Sequence, residues 1–227
     1  MSKAREHEPS ELGRHRYYAL DRLVMLSDGV FAIAMTLLAL ELRPPAGWDG
    51  TAKSLWEGTK GSLLAYGFSF LVVASYWVSH RSNFRRLAKT DRVLTTLSLL
   101  GLGLVTLLPA VTRLVMEHGR SRAALAVYLI SIAAVGVANA LVWGYASIRP
   151  GLMDPAPPPR YRLMRFLILL GAPLPVCTIV YFGSAGQGPW IWVFMTVFYI
   201  AIVIARRMGG PEELKTAVAG TSERSHK

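Results

Sequence analysis

An aspartate set inside an apolar run has the clearest chemical consequence in this sequence. The run reads Arg22-Leu23-Val24-Met25-Leu26-Ser27-Asp28-Gly29-Val30-Phe31-Ala32-Ile33-Ala34-Met35-Thr36-Leu37-Leu38-Ala39-Leu40-Glu41-Leu42. An acid at the centre of a bilayer costs about 2.5–3.5 kcal/mol on insertion scales, so it pairs or faces water. Two roles are open to Asp28: a functional acid, or a carboxylate near the headgroups paired with a basic residue. A second cluster, Tyr76-Trp77-Val78-Ser79-His80-Arg81, closes another apolar run. Its His80 and Arg81 could form an ion pair or hydrogen-bond network with Asp28, or could begin a basic loop facing lipid phosphate. Other chemistry has no motif to carry it. The chain lacks a G-x-S-x-G elbow, an H-E-x-x-H pair, a P-loop and a T-V-G-Y-G filter. Its one cysteine, Cys177, sits in an apolar run, and no Cys/His metal spacing exists. The expectation is no enzyme, no metal site and no cofactor.

The elements that must hold Asp28 and His80 are membrane spans. Of 227 residues, 52% are hydrophobic and only 17% charged, against roughly 25% charged in soluble domains. About 20 apolar residues cross a bilayer core. Such runs cover 23–42, 62–79, 93–112 and 123–148, and a stretch without charge covers 166–205. The last is too long for one span, and Gly183-Ser184-Ala185-Gly186-Gln187-Gly188-Pro189 divides it into helices at 166–182 and 189–205. The expectation is an all-α integral membrane protein of six transmembrane helices. Residues 1–21 read as a cytoplasmic tail, 22–207 as the membrane domain, and 208–227 as a polar, disordered cytoplasmic tail. Pro109, Pro173 and Pro175 fall within helices and are expected to kink them.

Charge placement tests that count. The net charge is +11, yet the basic residues lie between apolar runs, which argues for membrane topology rather than nucleic acid. Six spans put 19 of the 25 Lys and Arg residues on the side of both termini and 6 on the other. The basic-rich side is expected to be cytoplasmic. The loop before the fifth helix carries Pro155-Ala156-Pro157-Pro158-Pro159, a stiff connector.

Helical geometry separates two faces of the first span. Ile33, Leu37 and Leu40 follow an i, i+4, i+7 stripe bordered by Thr36. Asp28 lies about 140° round the helix from Ile33 at ~100° per residue. Taken alone, the stripe reads as ordinary helix packing.

The run Arg22-x-x-x-Leu26-Ser27-Asp28-Gly29-Val30-Phe31-Ala32-Ile33-Ala34 closely resembles the first-helix signature of the transmembrane protein 175 family of potassium channels, with Leu26 where phenylalanine is usual. Tyr76-Trp77-x-x-His80-Arg81-x-x-Phe84 is similar to the family's second-helix motif, with Arg81 in place of a second histidine. The resemblance implies a homotetramer whose first helices line a central pore. It implies that Ile33, Leu37 and Leu40 form an apolar constriction, that Thr36 adds a hydroxyl layer linked to cation preference, and that Arg22, Ser27, Asp28, Trp77 and His80 fix the first helix against its neighbours. The implied permeant ion is potassium. An apolar ring lacks the oxygens that replace a hydration shell, so only modest potassium-over-sodium selectivity is expected. The alternative is a proton-coupled transporter or proton leak using Asp28 and His80. The expected partners are copies of the chain and membrane lipids, and the expected location is the plasma membrane.

Overall fold

The computed structural model describes residues 11–45, 47–118, 121–174 and 177. They form helices α1 (Glu11–Leu40), α2 (Ala52–Phe84), α3 (Arg92–His118), α4 (Arg122–Ile148) and α5 (Pro159–Gly171). Four are long and apolar enough to span a membrane: Tyr18–Leu40 of α1, and α2, α3 and α4. The expected sixth span, the last part of the fifth (175, 176 and 178–182) and the C-terminal tail lie outside the described residues.

Three of the long helices, α2, α3 and α4, start at a side-chain cap. Thr51 Oγ1 accepts from Ser54 N at 3.2 Å at the start of α2, and Ser121 Oγ accepts from Ala124 N at 3.4 Å at the start of α4. Asp91 Oδ1 accepts from Leu94 N at 2.8 Å at the start of α3. These bonds satisfy amides that the first helical turn leaves unpaired. The helices extend past the apolar runs. Residues 11–21, read from sequence as tail, are already helical, and α2 has 33 residues, about 50 Å at ~1.5 Å per residue. The fifth helix starts seven residues earlier than its apolar run, at Pro159. Proline suits a first helical position, where its missing N–H would have no partner. The helix α3 runs unbroken through Pro109, whereas α5 ends at Gly171, before Pro173.

The core forms two clusters along the bundle. One joins Phe31, Ala34 and Leu38 of α1 to residues of α2, α3 and α4, including Val73, Val105 and Ile132. The other joins Leu20 and Leu23 to Phe84, Leu94, Trp143 and Leu169. At the second end the α2–α3 loop meets the α4–α5 loop, with Ala88 N donating to Leu152 O at 2.8 Å. The basic residues of both loops therefore share one end of the bundle with the N-terminal half of α1. Close approach is built into α4, where a Cβ on Gly136 would meet Pro173 Cγ at 2.3 Å and Tyr76 Oη at 3.2 Å. Large apolar side chains cover the outside, among them Leu64 at 75% and Leu71 at 67% exposed. A surface of that kind suits lipid.

Candidate functional site

The helix α1 has two chemically distinct sides. Leu20, Leu23, Ser27, Phe31, Ala34 and Leu38 are buried against the bundle. Their spacing of three and four residues is that of one helical face. Ile33, Leu37 and Leu40 lie on another face and are 59%, 39% and 71% exposed. Thr36 is exposed beside them, and its Oγ1 donates to Ile33 O at 2.8 Å. Among the described residues, the stripe joins neither core cluster. Exposure of a few large apolar residues is ordinary on a surface that meets lipid, but a stripe beside Thr36 also suits a second chain.

The motif residues near the start of this span act separately. Asp28 Oδ1 accepts from Trp77 Nε1 at 2.8 Å, and the Arg81 guanidinium lies 5.3 Å from the Trp77 ring centroid. Carboxylate, indole and cation thus form a string across α1 and α2. Asp28 forms no ion pair among the described residues, so an indole N–H takes the place of the basic partner considered from sequence. Ser27 is buried and donates to Leu23 O at 2.7 Å within α1. His80 stacks on Phe84 with centroids 4.2 Å apart and meets Phe31 of α1 at 5.6 Å. Arg22 is exposed and joins no ion pair among the described residues. Asp28, Trp77 and His80 therefore join α1 to α2, with Arg81 set against Trp77 within α2, while Ser27 and Arg22 do not bridge the helices among the described residues.

Two polar networks were not anticipated from sequence. Asn83 Nδ2 donates to Asn139 Oδ1 at 3.0 Å, and Asn139 Nδ2 donates to Ser79 Oγ at 3.0 Å. Arg165 of α5 donates to Asn83 Oδ1 at 3.1 and 2.8 Å and to Ser82 Oγ at 3.0 Å, and its guanidinium lies 5.0 Å from the Trp143 ring centroid. Deeper in the bundle, Thr112 Oγ1 donates to Ser69 Oγ at 3.0 Å, and the Ser69 and Tyr128 hydroxyls are 2.8 Å apart. The available signal was an uncharged polar residue inside an apolar run, notably Asn139. Such residues demand partners in lipid as they do in a core.

At the opposite end of α1, Glu41 lies 3.6 Å from Arg113, which also binds Glu117 at 2.8 Å. Between α1 and α2, Asp49 accepts from Thr51 N at 2.8 Å and from the Thr51 and Ser54 hydroxyls. The Ser54 hydroxyl first, then the Thr51 amide, holds the Asp49 carboxyl down at about 2. Among the described residues, no His, Cys, Asp or Glu group could hold a metal ion.

Residues 22–109 match the family described as "Endosomal/lysosomal potassium channel TMEM175". A protein of Streptomyces collinus named "Potassium channel B446_29190" is 38% identical over 68% of this chain and 80% of its own length. A Chamaesiphon minutus protein named "Potassium channel Cha6605_3372" is 34% identical over 58% of this chain and 68% of its own. The human "Endosomal/lysosomal proton channel TMEM175" is 27% identical over 59% of this chain but only 27% of its own. The fold is similar to that of the crystal structure described as a lysosomal potassium-selective channel TMEM175 homolog from Chamaesiphon minutus. The TM-score is 0.57 at 24% identity, covering 85% of this chain and 99% of that one. With these likenesses and the span-forming helices together, the chain belongs to the endosomal/lysosomal potassium channel TMEM175 family, a family of multi-pass membrane channels and not of enzymes.

Proposed function

We propose that the chain forms a potassium-permeable cation channel as a homotetramer of six-span subunits, with α1 from each subunit around a central pore. The observation that carries this reading is the unpaired apolar stripe of α1. Ile33 and Leu40 are 59% and 71% exposed on a helix whose other face is buried. One subunit has one helix carrying the Arg22–Ala34 motif, and a closed ring of copies would turn its stripe toward a common axis. Ile33, Leu37 and Leu40 are then the constriction and Thr36 the hydroxyl layer beside it. A ring of this kind gates by dewetting and passes a partly hydrated ion, with modest preference for potassium over sodium. The names of the two bacterial relatives support potassium as the permeant ion. The proposed setting is the plasma membrane, with the basic-rich end of the bundle in the cytoplasm.

The test is ion flux through the full chain in liposomes, under potassium and sodium gradients in parallel. Potassium flux should exceed sodium flux, and Ile33→Asn should raise both and narrow their ratio. An assembled oligomer with no flux at any voltage or pH would remove the reading. The name of the human relative favours a second reading, proton movement through Asp28 and His80. That reading requires Asp28→Asn to abolish proton flux in a well-assembled protein, whereas the channel reading has the same change act on assembly.

A further inference from the structure

Behind the buried face of α1 the four long helices line a small, partly open cavity of about 20 Å³. Much of its wall is apolar, including Phe31 and Val105, but Tyr76, His80, Ser98 and Asn139 also line it. His80 is nine-tenths buried, and its Nε2 has no hydrogen-bond partner among the described residues. A buried polar atom left in that state is destabilising.

We propose that this cavity is a binding site for one water molecule, anchored by His80 Nε2. The volume selects the ligand class. One water needs about 10–15 Å³, so a cavity of about 20 Å³ admits one and excludes a hydrated cation or an organic molecule. The unused bonding capacity of the lining matches that ligand. Tyr76 Oη and Ser98 Oγ donate to the Ile132 and Leu94 carbonyls, each at 2.8 Å. Both oxygens therefore offer lone pairs alone. Asn139 spends its carbonyl on Asn83 and one N–H on Ser79, which leaves a second N–H. A water accepts that N–H, donates to His80 Nε2 and donates to one hydroxyl oxygen. Three bonds are the usual number for a buried water. The arrangement requires a neutral imidazole with Nε2 as the acceptor. The bound water would tie α2 to α4, and the site is independent of what the assembled protein conducts.

Two experiments on the full-length assembled protein test the site. In a map fine enough to show ordered solvent, a peak within hydrogen-bond distance of His80 Nε2 is expected. A map showing ordered waters elsewhere and none here would overturn the proposal. The second experiment compares melting of Ala138→Val, which adds volume at the cavity wall, in two backgrounds. In the native background it displaces the water and strands Nε2, lowering the melting temperature by about 2–4 °C for a chain of this size. In a His80→Leu background, which makes no polar demand, it leaves the melting temperature unchanged or raises it. An equal fall in both backgrounds would indicate overpacking, and a rise in both would indicate a dry cavity. Either would overturn the proposal.

Discussion

At the scale of single residues, Asp28 and Trp77 decide how an acid survives beside the bilayer. The 2.8 Å bond from Trp77 Nε1 gives the carboxylate a donor that needs no second charge. Hydrogen bonds to charged groups contribute about 1.5–3 kcal/mol. Trp77→Phe keeps the ring and removes the donor. It should lower the melting temperature of the purified protein while leaving the potassium-to-sodium flux ratio as it was. A changed ratio with unchanged melting would show that the bond serves permeation and not the fold. Asp49 offers a different test, outside the spans. Its carboxyl should titrate near 2, below the ordinary value of 3.8, in a carbon-13 titration of the side chain. The sign follows from the lowered value: the contribution to folding is complete above about pH 4 and is lost as pH falls toward 2. Titration at the ordinary value would mean that the Ser54 and Thr51 bonds do not persist in solution. Asp28 was visible in the sequence because a lone acid in an apolar run stands out by composition. Local pattern did not show its partner, since Trp77 lies 49 positions away; only the family resemblance placed Trp77 among the residues that hold the first helix.

At the scale of elements, α1 should respond oppositely on its two faces. Leu38 is fully buried, and Leu38→Ala should destabilise by about 2–5 kcal/mol, read as a lower melting temperature. Ile33→Ala should leave melting nearly unchanged and alter flux. Equal loss of stability from both would mean that the stripe is packed in the native assembly as tightly as the core. The stripe itself was legible from spacing, because a helix repeats its face every three or four residues. Which stripe faced the bundle was not, since Leu38 and Leu37 are equally apolar and only the partners distinguish them. The early start of α5 was hidden for another reason. Arg160, Arg162 and Arg165 read as loop by hydropathy, yet Arg162 Nε donates to Pro157 O at 2.6 Å and Arg165 reaches Asn83. A charged turn becomes helix when its charges are committed to specific acceptors.

At the scale of the whole molecule, the proposed ring makes a geometric demand. Ile33 from neighbouring subunits should lie close across the axis. In a Cys177→Ser background, Ile33→Cys should form disulfide-linked dimers on mild oxidation, seen as a doubled mass on a non-reducing gel relative to the 24.9 kDa chain. Monomer alone, from protein shown to be oligomeric, would place Ile33 away from the axis. Charge asymmetry anticipated correctly that the α2–α3 and α4–α5 loops share an end, which their 2.8 Å backbone bond now shows directly. Composition could do this because spans of alternating direction must return to the same side. Subunit number has no such local signature and rests on the behaviour of the family.

The bond between Asp28 and Trp77 also sets a lever. It lies near the middle of the spanning part of α1, Tyr18–Leu40, beside the aromatic contact of His80 with Phe31. The far end is tethered by Arg113 at 3.6 Å from Glu41, and Arg113 divides itself between two acids. A rigid rod turning about a pin moves each point in proportion to its distance from the pin. Leu40 lies twelve residues beyond the pin, about 18 Å at ~1.5 Å per residue, and Ile33 only about 7.5 Å. A tilt of about 5° therefore carries Leu40 through about 1.6 Å and Ile33 through about 0.7 Å. Small rigid rotations widen or narrow one layer of the stripe more than twice as far as another.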